Sequence, residues 1–522
     1  MIRSLTDTEA ELHGKMQAEI ESRYRRNKLK LDYYDMKHRL DFIGFSIPDD
    51  MKELESVLGW AEKATRTPVD RINRVGFTSA NKDGIIQQLN ELDDEVRLEY
   101  FEAFARLAAA MMSCSFMFFS KGDTSKAEPP VVISVRDATA GTAQVCPRTG
   151  RTTAALEVIN RDNHLLYLPG LTLNLKRAGL RWVVTDEYKT IPHRVACTVY
   201  RWRPELRRPF GYSRISRAVM GHIDRACRTI LRQEVNAEFY SSPRGVLLDA
   251  HRGAFFTNKG ERIDPLRAIG AIWGVPGKRD NETGDWKVPK FEQLAQANFQ
   301  PHTEMMKSIA MNFHAETDIP LGQLGVVQDN PSSADAIRAA EHGLIALCRK
   351  EIRQFTYTSK DAALNVLALA EEATTEGELT SLVKEIAKVR PKFGNPATPT
   401  PSSQADSGSK FVGSFPDLQD SELALEQYGL EPDDVERALA HIKTKRNTSV
   451  LQTALDSATT RTAPVASEAK QLHPLEELKL KAETLGQLRR AGVTSESAAE
   501  QVQLEGLKFM PGAPVTIRAD ES

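Results

Sequence analysis

The sequence predicts an α+β protein that is mainly helical. Three observations carry that expectation. Apolar residues recur at helical spacing along much of the chain. Between about 130 and 200 the pattern changes to short β-rich runs parted by turn residues. The segment from Asp318 to Leu347, DIPLGQLGVVQDNPSSADAIRAAEHGLIAL, reads as a helix end, a tight loop and the start of a long helix.

That loop is set by its residues. Pro320 cannot continue the helix before it. Gly322 and Gly325 permit backbone angles that other residues avoid. Asn330-Pro331 is a turn signal, and Ser332 can cap the next helix with Asp335 three residues on. From there Ile337, Ala340, Leu344, Leu347 and Ile352 recur at helical spacing. Nothing in the segment suggests bond chemistry.

The other elements follow in order. Leu12, Met16, Ile20 and Tyr24 are spaced by four within a helical stretch reaching about residue 45. Helices continue over 50–120, with DEVRLEYFEAFARLAAAMM the clearest. VVISVRD, TAALEVIN, HLLYLPG, TLNLKR, LRWVVTDEY and RVACTVYRW then read as antiparallel strands. A long helix is expected from Ser213 to Tyr240. Short strands follow over 244–297, with a hairpin tip in WGVPGKRDNETGDW. A helix is expected over Thr303 to Ala315 and a long one from Ala334 to Glu372. Lys384 to Lys392 reads as a strand and Asn395 to Lys410 as a linker or an extended turn. Asp417 to Asn447 reads as two helices joined at YGLEPDD, and a mixed tail follows residue 456.

The bulk numbers narrow the class. At ~150 residues per domain, 522 residues suggest three or four structural units. A net charge of -2 excludes a globally basic nucleic-acid binder, so any contact with DNA must come from local patches. The five cysteines are far apart and form no C-x-x-C pair, which argues against a disulfide framework or a zinc site and for a reducing compartment. The longest apolar run, Leu107 to Phe119, falls short of the ~20 residues of a membrane span and reads as a buried helix-to-strand passage. The polar, acidic start MIRSLTDTEAELHGK does not read as a signal peptide.

Charge is concentrated in one place. On a wheel at ~100° per residue, Arg214, Arg217, Arg225, Arg228 and Arg232 form a narrow stripe opposite Ile215, Val219, Ile223, Ala226 and Ile230. With Arg201, Arg203, Arg207 and Arg208, residues 201–235 hold nine arginines against three acids, a local charge of +6. The stripe fits a surface near phosphates. It equally fits a solvated face, or one paired with acids of a neighbouring subunit. A second basic run, Arg23, Arg25, Arg26, Lys28 and Lys30 before Tyr33 and Tyr34, suits nucleic acid or a helix end that packs through its tyrosines.

Enzyme motifs do not accompany these patches. The chain has no phosphate loop, dinucleotide fingerprint, nucleophile elbow or H-E-x-x-H. The Gly-Lys pair at Lys278 has the wrong spacing and sits in the expected hairpin. His314, Glu316 and Asp318 fit a helix cap better than a metal site. No catalytic residue, metal or cofactor is therefore expected.

Four segments, in order, resemble the portal proteins of tailed bacteriophages, particularly those infecting actinobacteria. They are YYDMKHRLDFIGFSIPDDM with WAEKATRTPVDRI; RPFGYSRISRAVMGHIDRACRTILRQEVNAEFYSSPRGVL; DIPLGQLGVVQDNPSSADAIRAAEHGL; and SQADSGSKFVGSFPDLQDSELALEQYGLEPDDVERAL. Together they span about residues 30 to 445, and the third is the most specific.

The resemblance implies a ring with a central channel, usually of twelve subunits, at one capsid vertex of the virion. Double-stranded DNA passes through it during packaging and ejection. It implies wing, stem, clip and crown parts: wing over 1–212, stem helices over 213–243 and 299–318, clip over 244–298, a tunnel loop over 319–333, a channel and wing helix with a returning strand over 334–402, crown over 403–455 and a tail over 456–522. Gly325, Val326, Val327, Gln328, Asp329, Asn330, Ser332 and Ser333 would lie at the tunnel loop. Lys278, Arg279, Asp280, Asn281, Glu282 and Trp286 of the clip would dock the terminase and later the head-tail adaptor. The major capsid protein and scaffold are further implied partners, with assembly in the host cytoplasm and no membrane. VVQDN carries Asp329 and no Lys or Arg, so weak polar contact with DNA is expected there, since a strongly basic lumen would grip phosphates. The alternative is another part of the DNA-packaging machinery, a terminase-like enzyme or an adaptor ring.

Overall fold

A computed structural model describes residues 2–44, 47, 55–79, 84–240, 245–249, 256, 262, 277–279, 282, 284–293, 298–326, 334–397, 401–430, 434–445 and 448. The chain divides into two compact units, Met1–Thr400 and Pro401–Ser522, fewer than its length suggests. The mixture is α+β, with more helix than strand among the described residues.

The first unit opens with a short strand β1 (Arg3–Ser4) and helix α1 (Asp7–Tyr34). Thr6 and Glu9 start α1 as a reciprocal capping box: the Thr6 hydroxyl accepts the Glu9 N–H, and the Glu9 carboxylate accepts the Thr6 N–H. Helix α2 (Trp60–Val69), strand β2 (Arg74–Thr78) and helices α3 (Gly84–Val96) and α4 (Leu98–Met112) follow. The apolar passage then becomes β3 (Cys114–Lys121), whose residues 114–119 are all buried. The run from Leu107 to Phe119 is thus a core-filling helix-to-strand junction.

Strands β4 (Val131–Asp137), β5 (Gly141–Val145), β6 (Thr152–Asn160), β7 (Asn163–Leu168), β8 (Leu171–Ala178), β9 (Arg181–Lys189) and β10 (Cys197–Arg201) complete the β region. All its pairings are antiparallel, as the alternation predicts. One sheet runs β1-β9-β8-β7-β6-β5 and a second runs β10-β3-β4. Met16 and Ile20 of α1 pack onto the first sheet against Ala154, Leu156, Leu166, Leu173, Leu175 and Val184.

Helix α5 (Arg217–Tyr240) leads into β11 (Gly245–Leu248). The hairpin expected near Lys278 is present as β12 (Lys278–Arg279) and β13 (Trp286–Lys287). Strand β14 (Lys290–Gln293) pairs with β11 and returns the chain to helix α6 (Gln300–Thr317). Helix α7 (Ala334–Ala370) lays Leu344, Cys348, Phe355 and Leu367 into the main core beside α4, β3 and β10.

Two expectations fail here. Lys384 to Lys392 is mostly helix: α8 (Glu376–Lys388) starts on its own Thr375–Glu378 capping box, and the strand β15 is only Arg390–Phe393, paired with β2. The Pro- and Ser-rich stretch fails as a linker only from Pro401 on, where α9 (Pro401–Ser414) begins; the boundary between the two units falls inside it, after Thr400. Proline is well tolerated in a first helical turn, where its missing N–H has no partner to lose. In the second unit Gly408 leaves room for the Tyr428 ring, which a Cβ at Gly408 would meet at 2.5 Å. Helix α10 (Glu422–Gln427), capped by Ser421, and a further helical stretch over 434–445 match the two helices expected there. The tail after 456 lies outside the described residues.

Where α1 meets the six-stranded sheet, two buried histidines touch: His13 Nε2 and His164 Nδ1 are 2.9 Å apart, with the Trp182 ring against both. Burial pushes both imidazoles from 6.5 down to about 4. The unfolded chain therefore takes up protons below ~6.5 that the folded chain refuses until about 4. Stability present above that window is lost as the pH falls through it, by up to ~1.4 kcal/mol per pH unit per histidine. The melting temperature is expected to drop between pH 7 and 4.5, with a shallower slope in His164→Gln. Equal slopes in calorimetry would remove the pair from this account.

Candidate functional site

The functional candidates gather around α5 and α6. Their shared core joins Ile215, Val219, Ile223, Ala226 and Cys227 to Ile309, Ala310 and Phe313, with Tyr33 and Trp60. The helices run antiparallel. At one end Arg214 Nη2 donates to the Thr317 carbonyl at 2.6 Å. At the other, Phe299 shares a shallow groove with Ile230, Glu234 and Ala237.

The arginine stripe is only partly what the wheel predicts. Arg217 and Arg225 are exposed, and Arg228 and Arg232 are half-buried. None of these four forms a side-chain ion pair among the described residues. Arg214 does not belong with them. The helix begins at Arg217, not Ser213, and Arg214 lies in the bend before it, 7% exposed. Its Nε donates to the Ala64 carbonyl at 2.8 Å and its Nη2 to Thr317, so it ties α2 to the end of α6. Burial pulls its guanidinium down to about 10. The wheel missed this because it assumes a helix through every position, and the hydroxyl of Ser213 instead bonds the Met111 carbonyl and the Ile215 N–H.

The second basic run is resolved toward packing. Arg23 pairs with Glu19 at 2.8 Å and Lys28 with Asp32 at 2.9 Å. Lys30 is buried, reaching the Met112 carbonyl at 3.4 Å, and burial lowers its ammonium to about 8. Tyr33 donates to Asp224 at 2.8 Å, and Tyr34 accepts from Arg66. Arg25 and Arg26 stay exposed and form no ion pair among the described residues, so packing takes up only part of this helix end.

After α6 the chain turns as the loop residues require. Asp318 is left-handed at the helix end, and its N–H returns to the His314 carbonyl. His314 Nδ1 lies 2.7 Å from the Ile319 carbonyl, so this polar cluster serves the helix end. Pro320 opens a single 3-10 turn, Leu321–Leu324, closed by Gly325 at φ +82°. Gly325 is exposed, whereas Val326 packs partly against the second core. Val327, Gln328, Asp329, Asn330, Ser332 and Ser333 lie outside the described residues.

Of the hairpin candidates, Lys278, Arg279, Glu282 and Trp286 are exposed, Trp286 at 69%. Arg279 pairs across the ladder with Trp286, and its Nε donates to the Gly284 carbonyl at 2.8 Å. A two-strand hairpin carrying an exposed indole is suited to contact rather than chemistry. Asp280 and Asn281 lie outside the described residues. Among the described residues no group of three His, Cys, Asp or Glu side chains could hold a metal ion, and no helix is long and apolar enough to cross a membrane.

No family model matches the chain. Two curated relatives do. The portal protein of Mycobacterium phage L5 is 26% identical over 403 residues, covering 73% of this chain and 77% of the relative. That of Mycobacterium phage D29 is 26% identical over 419 residues, covering 76% and 81%. Among solved structures, a chain in the virion of a native gene transfer agent particle aligns over 71% of this chain and 90% of its own, at 10% identity and a TM-score of 0.37. One in the neck of that particle, computed with C12 symmetry, aligns over 71% and 88%, at 11% identity and the same TM-score.

The two kinds of arginine separate by experiment. Arg214→Met should cost ~3 kcal/mol in chemical denaturation, because two buried carbonyls lose charge-assisted donors. Arg225→Met should stay within ~0.5 kcal/mol. Equal effects would contradict the burial of Arg214.

Proposed function

We propose that this chain, a relative of the portal proteins of mycobacteriophages L5 and D29, works as a portal protein of the actinobacteriophage type. It forms the ring at one capsid vertex through which DNA is packaged and released, and on which terminase and the head-tail adaptor dock. The observation that carries this is the pair of portal relatives, each matching about three quarters of the chain. The role is structural rather than enzymatic.

The fold supports the finer reading. Two antiparallel helices, α5 and α6, bracket a β insertion, as a stem carrying a clip would require. On this reading α5 and α6 are the stem and residues 244–298 the clip, with Lys278, Arg279, Glu282 and Trp286 on its docking surface. The turn at Gly325 and Val326 borders the channel, and α7 leads from the channel wall into the wing. The wing holds the chain up to 212, and the crown lies over 403–455. Twelve subunits, the major capsid protein and the scaffold complete the proposed assembly, which forms in the host cytoplasm and ends in the virion.

A helix pair that exposes Met305, Met311 and Phe299 also fits a subunit that completes its cover in an assembly. Contacts that close by rotation generate such rings.

Light scattering with negative-stain images of the same fraction should give a ring of about a dozen subunits with a central hole. A small compact oligomer without a hole would count against the portal reading and favour another packaging component. If the loop after Gly325 borders DNA, Asp329→Ala with Asn330→Ala should leave the ring intact and lower packaged DNA. Normal packaging by that variant would take the loop off the channel wall.

A further inference from the structure

We propose that the arginine face of α5 is the seat for the outer face of α6 from a second copy of this chain. The inference rests on the ring reading and names the residues of one contact within it.

Arg217, Arg225 and Arg228 on α5 have no ion-pair partner among the described residues, whereas the guanidinium of Arg232 lies half-buried beside Gly44 of its own chain. In the middle of that face stands Gly221, where a Cβ would meet nothing within 4 Å. Glycine inside a helix costs ~1 kcal/mol relative to alanine, and among the described residues nothing occupies the place its side chain would take. The result is a shallow notch rimmed by guanidinium stems.

The outer face of α6 has the complementary make-up. Glu304, Ser308, Met311 and Ala315 follow each other by four, three and four residues and are all exposed. They lie opposite Ile309, Phe313 and Thr317, which are buried. Met311 is 45% exposed, an apolar knob among small side chains. Glu304 accepts a hydrogen bond from Gln300 at 2.9 Å and forms no ion pair among the described residues. Lys307, three residues on, is exposed and borders the same face.

The levels of these residues agree. Arg214 stands beside Thr317 at one end of the antiparallel pair, and Glu234 shares a groove with Phe299 at the other. Interpolating at ~1.5 Å per residue puts Gly221 level with Met311 and Arg228 level with Glu304. A rotation about an axis close to the helix direction keeps levels unchanged. Met311 of one copy then drops into the Gly221 notch of the next, against arginine stems that pack well on apolar groups. Glu304 meets Arg228 in the same step. Within one copy the two faces point away from each other, so neither pair can form internally.

The occupant is a second copy rather than DNA because the face contains an apolar notch as well as charge, and a matching knob exists on the same chain. A charge swap tests this. Arg228→Glu and Glu304→Arg should each lower the multimer fraction in light scattering about tenfold or more, and the double variant should restore it. Arg228→Cys combined with Glu304→Cys should give covalent multimers on oxidation, which neither single variant gives. A wild-type chain that stays monomeric overturns the ring reading and this contact with it. A ring that survives Arg228→Glu overturns the contact alone. So does a variant that keeps its ring mass but loses retention of duplex DNA, which would assign the stripe to nucleic acid.

Discussion

The first unit is organised around two arginines sealed from water. The side chains of Arg74, on β2, and Arg106, on α4, have no exposure, and neither has Glu102 between them. Arg74 makes two hydrogen bonds to Asp93 of α3, at 2.6 and 2.7 Å, and one to Glu102 at 2.7 Å. Tyr200 of β10 donates to the other Glu102 oxygen at 2.8 Å, and Arg106 pairs with Glu99. Burial pushes the Glu102 carboxyl up, but the two arginines outweigh it and hold it down to about 2. Charges this deep are tolerated only while every partner is in place, since removing one costs ~3–5 kcal/mol. β2, α3, α4 and β10 are therefore held in one relative position, and β3 and α7 pack their apolar faces against that frame.

The α5–α6 pair grows out of the frame at a fixed point. The N–H of Arg214 bonds the Ala110 carbonyl near the end of α4, and its guanidinium reaches α2 and α6. Sequence-distant segments are thereby fastened to the base of the helix pair. Beyond that base α5 and α6 bury mainly the faces they turn to each other and to α1 and α2, leaving Arg217, Arg225 and Met311 exposed. The rigid part and the contact part of the molecule are thus different segments with different residue economies.

Much of this was legible in the sequence because it depends on periodicity. The antiparallel β region, α4, α5 and α7 follow from spacing, and the turn after α6 from Pro320 and Gly325. Features set by tertiary contact were not legible. Arg214 has the same chemistry as Arg217, and only the neighbouring carbonyls of Ala64 and Thr317 decide that one is buried. The capping box at Thr375 and Glu378 is visible as letters, yet nothing in 384–392 by itself separates the end of that helix from the strand that follows. α9 was hidden by proline and serine, which signal linkers by composition and helix starts by position. The candidate site shows the same division: its stripe was readable, whereas the burial of Arg214 and the half-burial of Arg232 beside Gly44 were not.

Helix α1 touches two cores. Its first half covers the six-stranded sheet through Met16 and Ile20, and its last turn enters the α5–α6 core through Tyr33, whose hydroxyl holds Asp224 on α5. At ~1.5 Å per residue its 28 residues make a beam of ~42 Å. The six-stranded sheet and the helix pair are thus joined through one continuous helix, which Asn27 also ties to the Ala138 carbonyl along its length.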